Sequence, residues 1–206
     1  MDMSEPASVV LPAGTAAVLR ALAGVETAFT IRHVARVAGV SPNRAHQVIL
    51  RLAEHGLVLI DDLGGSRRCR LNREHLAAPA VINLVRLRAA MIELLQRQFS
   101  EWSVLPDQAS LFGSAARGDG DTTSDLDILV VRPTDRDEDD PVWRNQLFES
   151  GARIRTATGN HVAWFEISRA ELFQASQQGE SLVDEWRRDA VRLVGPDLRS
   201  LLREPS

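Results

Sequence analysis

Lysine is absent from this sequence, and all 24 basic residues are arginines. A GC-rich coding sequence accounts for that as readily as chemistry does, so the bias carries no functional weight. Cysteine is nearly absent: Cys69 alone allows no internal disulfide and leaves too few thiols for a cysteine-built zinc site. No run approaches the roughly 18 apolar residues that a membrane-spanning helix requires. The acidic opening Met1-Asp2-Met3-Ser4-Glu5-Pro6 lacks the basic start and apolar stretch of a secretion signal. Neither an internal repeat nor a long low-complexity tract occurs. These absences leave a cytoplasmic globular protein without membrane contact as the expectation. Its 206 residues, 44% of them hydrophobic, suffice for one large domain or two small ones.

The net charge of −4 conceals an asymmetry. Up to Ser103 there are 12 arginines against 9 acids, and from Val104 onward 12 against 19. The first half could therefore approach a polyanion directly, whereas the second would need metal ions to hold one.

Helical periodicity begins near Gly14-Thr15 and runs through Val18, Leu19 and Leu22. Thr30 is placed to cap a second helix to about Ala38, which Gly39 stops. Ser41-Pro42 opens a third, with a capping serine and a proline where a missing N–H costs nothing. That helix reaches about Glu54. Two helices across the short turn Gly39-Val40-Ser41 have helix-turn-helix spacing. The period then changes: Val58 to Ile60 and Arg67 to Leu71 read as strands flanking a turn that contains Gly64-Gly65. A hairpin directly after such helices is the wing of a winged helix. Apolar spacing from Val81 to about Phe99 is helical again, and Pro79 is expected to divide a short helix from a long connecting one. The long helix could also mediate a homodimer.

Beyond the linker Leu105-Pro106-Asp107, a short strand at Ala109–Phe112 stops at Gly113. A strongly apolar strand follows at Leu126–Val131, then an acidic loop from Asp135 to Asp140 and a helix from Pro141 to about Ala157. His161 to Ile167 reads as a third strand. Ser168 caps another helix, Glu180 to Arg188 forms one more, and Ala190 to Val194 a final strand. Without regular alternation of strand and helix, the class is α+β. The expected division is residues 1–78 as a winged helix-turn-helix domain, 79–104 as connecting helix and linker, and 105–206 as the second domain.

Two segments of that second domain carry chemistry. In Ser124-Asp125-Leu126-Asp127-Ile128, alternation along a strand puts Asp125 and Asp127 on one face while Leu126 and Ile128 enter the core. Two carboxylates so close repel unless a cation joins them, and hard oxygen ligands of this kind suit Mg²⁺. In Phe112-Gly113-Ser114, a glycine and serine at a strand-to-helix turn supply close backbone approach, N–H donors and a hydroxyl for phosphate. Metal ions with anchored phosphates are a standard means of phosphoryl displacement.

This arrangement resembles the nucleotidyltransferase superfamily related to DNA polymerase β, whose Gly-Ser is followed after about ten residues by Asp-x-Asp. Here Ala115 to Ser124, ten residues, separate Ser114 from Asp125. The version Gly-Ser-Ala-Ala-Arg-Gly with Ser-Asp-Leu-Asp looks most like the minimal nucleotidyltransferases of bacteria and archaea, and the whole chain resembles bacterial proteins that join a winged helix to such a domain. The resemblance implies that Asp125 and Asp127 bind two Mg²⁺ ions, while Gly113 and Ser114 hold a nucleoside triphosphate, by default ATP. Ser124 is a further candidate for it, and Arg117 could bind the triphosphate or pair with Asp119 or Asp121. A third carboxylate normally comes from a later strand. Glu166 is the acid available there, where the family more often has aspartate. The acceptor would be a hydroxyl of a protein or an RNA. Minimal nucleotidyltransferases often act in toxin–antitoxin or phage-defence pairs. An alternative is a DNA-binding transcriptional regulator whose second domain only senses nucleotide.

In the first domain Ser41, Asn43, Arg44 and Gln47 lie at the start of the recognition helix, where Asn and Gln suit adenine and Arg suits guanine. Arg67, Arg68 and Arg70 on the wing could contact DNA phosphates. The five histidines are scattered without metal-ligand spacing. Trp102, Trp143, Trp164 and Trp186 are expected in the core.

Overall fold

The computed structural model describes residues 1–63 and 66–202. The chain divides into two compact units, Glu5–Ala89 and Met1–Ser4 with Ala90–Ser206. Among the described residues, no helix is long and apolar enough to cross a membrane.

The first unit contains α1 (Ala13–Ala23), β1 (Phe29–Thr30), α2 (Ile31–Ala38), α3 (Pro42–Glu54), β2 (Val58–Leu63), β3 (Ser66–Leu71) and α4 (Ala78–Val85). Local chemistry sets the boundaries. Thr30 Oγ1 accepts the His33 N–H at the start of α2, and Gly39, at φ +65°, ends it in the left-handed conformation that glycine tolerates best. Ser41 Oγ accepts the Arg44 N–H, with Pro42 in the first turn of α3. The three strands form an antiparallel sheet of order β1-β3-β2, with Ile60 opposite Cys69 and Val58 opposite Leu71. Between β2 and β3, the turn glycines Gly64 and Gly65 lie outside the described residues. Val18, Leu22, Val34, Ile49, Val58 and Cys69 pack as one core. Pro79 does not divide the helical stretch that follows. It sits in the first turn of α4, where its missing N–H breaks nothing, and the break comes at Arg86 before α5 (Leu87–Ser100).

The second unit takes α5 from Ala90 onward, followed by β4 (Gln108–Phe112), α6 (Gly113–Arg117), β5 (Leu126–Arg132), α7 (Pro141–Thr158), β6 (Val162–Ser168), α8 (Arg169–Gln178), α9 (Ser181–Asp189), β7 (Val191–Val194) and α10 (Leu198–Leu201). The mixed sheet has the order β6-β5-β4-β7, with β5 and β6 parallel and the other pairs antiparallel. Alternation along β5 sends side chains into two cores. Leu126, Ile128 and Val130 meet Met91, Leu95, Phe99, Trp143 and Ile154 on one face. Leu129 and Val131 meet Phe112, Leu172, Val183 and Trp186 on the other. Trp102 joins the first face through an edge contact to Trp143 at 5.5 Å, and its indole N–H donates to the buried Ser150 hydroxyl at 2.7 Å. The apolar residues Met91, Leu95 and Phe99 of α5 are thus buried inside this unit. Within the acidic stretch Asp140 caps α7: its Oδ1 accepts the N–H groups of Trp143 and Val142, and the Trp143 bond first, with the Arg136 guanidinium second, holds its carboxyl below the usual range.

Candidate functional site

The site assembles where β4 ends and β5 begins. Phe112 pairs with Asp127 across the antiparallel ladder, so the turn after β4 lies beside the Asp125-Leu126-Asp127 segment. Gly113 makes that turn at φ +68°, and a Cβ built on it would overlap Asp127 Oδ2. A second glycine, Gly120, closes the loop from the other side: a Cβ there would come within 2.9 Å of Ser114 Oγ. The Ser114 carbonyl accepts N–H bonds from Gly118 at 2.8 Å and Asp119 at 3.0 Å, which curls the chain back after α6. Sequence reading passed over Gly120, although a glycine between the two motif halves was its visible signal.

Asp125 is exposed and Asp127 half-buried. Burial first, and the Asp125 charge second, push the Asp127 carboxyl above the usual carboxylate range, while Arg117 pulls it back. Arg117 is held by Asp119 at 3.2 Å and by Asp189, from the end of α9, at 3.6 Å. Asp189 was not foreseen, because its place beside the motif comes from the docking of α9 and not from its neighbours in sequence. Ser124 spends its hydroxyl inside the loop, accepting the Asp121 N–H and donating to Asp121 Oδ1, both at 3.0 Å. With Thr123 as the largest contributor, these bonds lower the Asp121 carboxyl pKa. The segment is anchored from β6: the buried Asn160 donates to the Ser124 carbonyl at 2.9 Å, and Leu126 donates to the His161 carbonyl at 2.8 Å.

Glu166 does not join the two aspartates. The parallel register pairs Asp127 with Ala163 and Val130 with Glu166, so alternation turns Glu166 to the opposite face of the sheet. There Glu166 Oε1 accepts hydrogen bonds from Arg132 and, at 2.8 Å, from the Trp143 indole N–H. Among the described residues, no group of three or more His, Cys, Asp or Glu is placed to hold a metal ion. The expected trio is therefore not brought together: Asp125 and Asp127 lie at the motif, and Glu166 lies apart from them beside Trp143. The residue type had suggested a ligand; the face of the strand decides otherwise.

In the first unit, Asn43, Arg44 and Gln47 share the exposed side of α3. Ser41 is exposed too, yet its hydroxyl accepts the capping N–H. The Arg44 side chain lies along α1, 3.1 Å from where a Cβ on Gly14 would stand. On the hairpin, Arg67 faces Asp62 at 3.9 Å and Arg70 faces Asp61 at 4.0 Å, so cross-strand acids partly offset them. Arg68 is exposed, opposite Asp61 in the register.

Residues 92–191 match the family model of the nucleotidyltransferase domain. They span the sheet from β4 to the first residue of β7 and include both halves of the motif. Among solved structures, one described as a toxin–antitoxin with AMP-PNP is similar at 18% identity, covering 55% of this chain and 79% of its own, with a TM-score of 0.35. That likeness is too slight to bear on the fold. No curated protein matches the chain.

Proposed function

We propose that the second unit binds a nucleoside triphosphate, ATP as first choice, together with Mg²⁺, and moves the nucleotidyl group onto a hydroxyl of a protein or RNA. The observation that carries this is the close approach of Gly113 to Asp127, which sets a side-chain-free turn against a half-buried carboxylate. The aspartate pair fits a divalent cation, since Asp127 is destabilised as an anion by burial and by Asp125. Such an ion, when bound, neutralises phosphate charge and polarises the reacting phosphoryl group. Asp125 and Asp127 would hold it. The Gly113 turn and the Ser114 hydroxyl would orient the phosphates. Arg117, fixed by Asp119 and Asp189, keeps a positive charge at the rim. In the transfer, the acceptor oxygen bonds to the α-phosphorus, the bond to the bridging oxygen breaks, pyrophosphate leaves, and the hydroxyl proton passes to solvent. The test is label transfer from each α-labelled NTP, with Mg²⁺, to pooled RNA and protein acceptors. Absence of transfer that depends on Asp125 and Asp127 overturns the enzymatic reading.

The first unit is read as a DNA-binding winged helix. Support comes from α2 and α3 meeting across Gly39-Val40-Ser41, the exposed polar side of α3, and the following hairpin. Ala163 beside Asp127 favours a second reading, because no carboxylate from β6 reaches the aspartates. In that reading the protein is a transcriptional regulator whose second unit senses nucleotide without turnover. ATP-dependent change in affinity for DNA from its own promoter, with no label transfer, would select the regulator.

A further inference from the structure

A polar cavity of about 290 Å³ opens on the same face of the sheet as Asp127, between the end of α9, β7 and the start of α10. Its donors are numerous. Arg188, Arg192, Ser110 and Trp186 line it, with Asp197 as the one acid of the lining; Arg187 lines it too, but its guanidinium bonds Asp184 and Ser176. The cross-strand register sets Ser110 directly opposite Arg192. Ser110 is 2% exposed, and its Oγ accepts from the Gln108 amide, which leaves the hydroxyl proton to be donated elsewhere. Trp186 is 4% exposed and its indole N–H has no hydrogen-bond partner among the described residues. Buried donors normally find acceptors, so a polar cavity with a spare indole N–H suits an oxygen-rich ligand. Arg192 forms no ion pair among the described residues, whereas Arg188 contacts Asp189 at 3.1 Å. Asp189 is in turn the partner of Arg117, so a continuous row of charges joins this cavity to the aspartate site.

The chemistry is that of a phosphate subsite: planar guanidinium groups that fit two phosphate oxygens, and neutral N–H and O–H donors. This half of the chain is acidic, which makes a concentration of arginines there notable. Arg192 is two strands and two residues away from Asp127, on the order of 12 Å by ladder spacing. That separation is within reach of a short single strand whose terminal hydroxyl lies at the aspartates. We infer that the cavity binds a backbone phosphate of a polynucleotide acceptor, upstream of the hydroxyl that receives the nucleotidyl group. The inference rests on the transferase reading for its direction, but its test does not require turnover.

The experiment uses the full chain carrying Arg44→Ala, which weakens the contribution of the first unit and is the common background for every variant. Fluorescence anisotropy reads the affinity of a short 5′-labelled single-stranded RNA at low salt. The double substitution Arg188→Ala, Arg192→Ala is expected to weaken RNA binding roughly tenfold, while Arg188→Lys, Arg192→Lys recovers most of it. Binding of a fluorescent ATP analogue with Mg²⁺ should be unchanged by either. Asp125→Asn, conversely, should impair the analogue and spare RNA. Unchanged RNA affinity in the alanine variant overturns the inference. So does loss of inorganic phosphate or pyrophosphate binding without loss of RNA, which would make the cavity a site for the free ion. Labelling of protein acceptors without RNA binding would leave the transferase reading standing and remove this one.

Discussion

Gly113 and Asp127 occupy space that a single Cβ atom would deny them: built on Gly113, it overlaps Asp127 Oδ2. The glycine is also held at φ +68°, a conformation that costs other residues roughly 1–2 kcal/mol. Gly113→Ala therefore incurs backbone strain and displaces the carboxylate. Gly179 isolates the first cost, since it has φ +67° and nothing within 4 Å of its Cβ position. Both alanine variants should melt a few degrees lower. Gly113→Ala alone should lose nucleotide binding, by roughly tenfold or more. Equal nucleotide affinities in the two variants would reduce Gly113 to a turn residue.

Burial and the Asp125 charge disfavour the Asp127 anion, a cost that a cation bound as proposed would relieve. In EDTA, Asp127→Asn should melt above the parent protein. Added Mg²⁺ should raise the parent melting temperature in a concentration-dependent way, as ligand linkage requires, and should do little for the variant. A thermal shift of the same size in both would place the ion elsewhere.

Much of this site was legible because its signals are local. Gly113-Ser114, the ten-residue spacing and the strand Leu126–Arg132 all arise from neighbours in sequence, as do the Thr30 and Ser41 caps. Glu166 misled because its role depends on register: an offset of three residues between β5 and β6 decides whether it faces Asp127 or Trp143. Asp189 and Asn160 were missed for a related reason. They reach the loop through the packing of α9 and the start of β6, and neither position has a sequence pattern that announces it. The break at Arg86 shows the same limit in a helix, because Pro79 is harmless in a first turn and disruptive only in an interior.

Glu166 joins Arg132 to Trp143 in a half-buried setting, with side-chain exposures of 23% for Glu166 and 12% for Arg132. Glu166→Gln keeps an acceptor for the indole but removes the counter-charge of Arg132. A loss of about 1–3 kcal/mol in unfolding free energy is expected from denaturant titration, with Mg²⁺-dependent nucleotide binding intact. Selective loss of nucleotide binding with unchanged stability would restore the carboxylate to the site.

The hairpin arginines share their charge with Asp61 and Asp62, so DNA affinity through the first unit should be modest and steeply salt-dependent. Asp61→Asn releases Arg70 and should tighten binding a few-fold at low salt. Arg44→Ala on α3 should weaken it. If removing Asp61 leaves affinity unchanged while Arg44→Ala lowers it, the hairpin lies off the DNA.

Cys69 offers a pH test that the composition makes unusually clean. It is fully buried, its thiol contacts the Phe29 carbonyl at 3.5 Å, and burial pushes its pKa up to about 11. An unfolded thiol titrates near 8.5. The folded value is the higher one, so the stabilising contribution is complete below about pH 8.5 and is lost as pH rises toward 11. At about pH 10 the loss amounts to roughly 2 kcal/mol. The chain contains no lysine and no tyrosine, so no other side chain has an ordinary pKa in that window. Unfolding free energy measured across the window should therefore fall in the parent protein and stay nearly flat in Cys69→Ala, whose lost packing lowers its stability uniformly instead. A parallel decline in both would mean that the thiol stays neutral and another process governs alkaline unfolding.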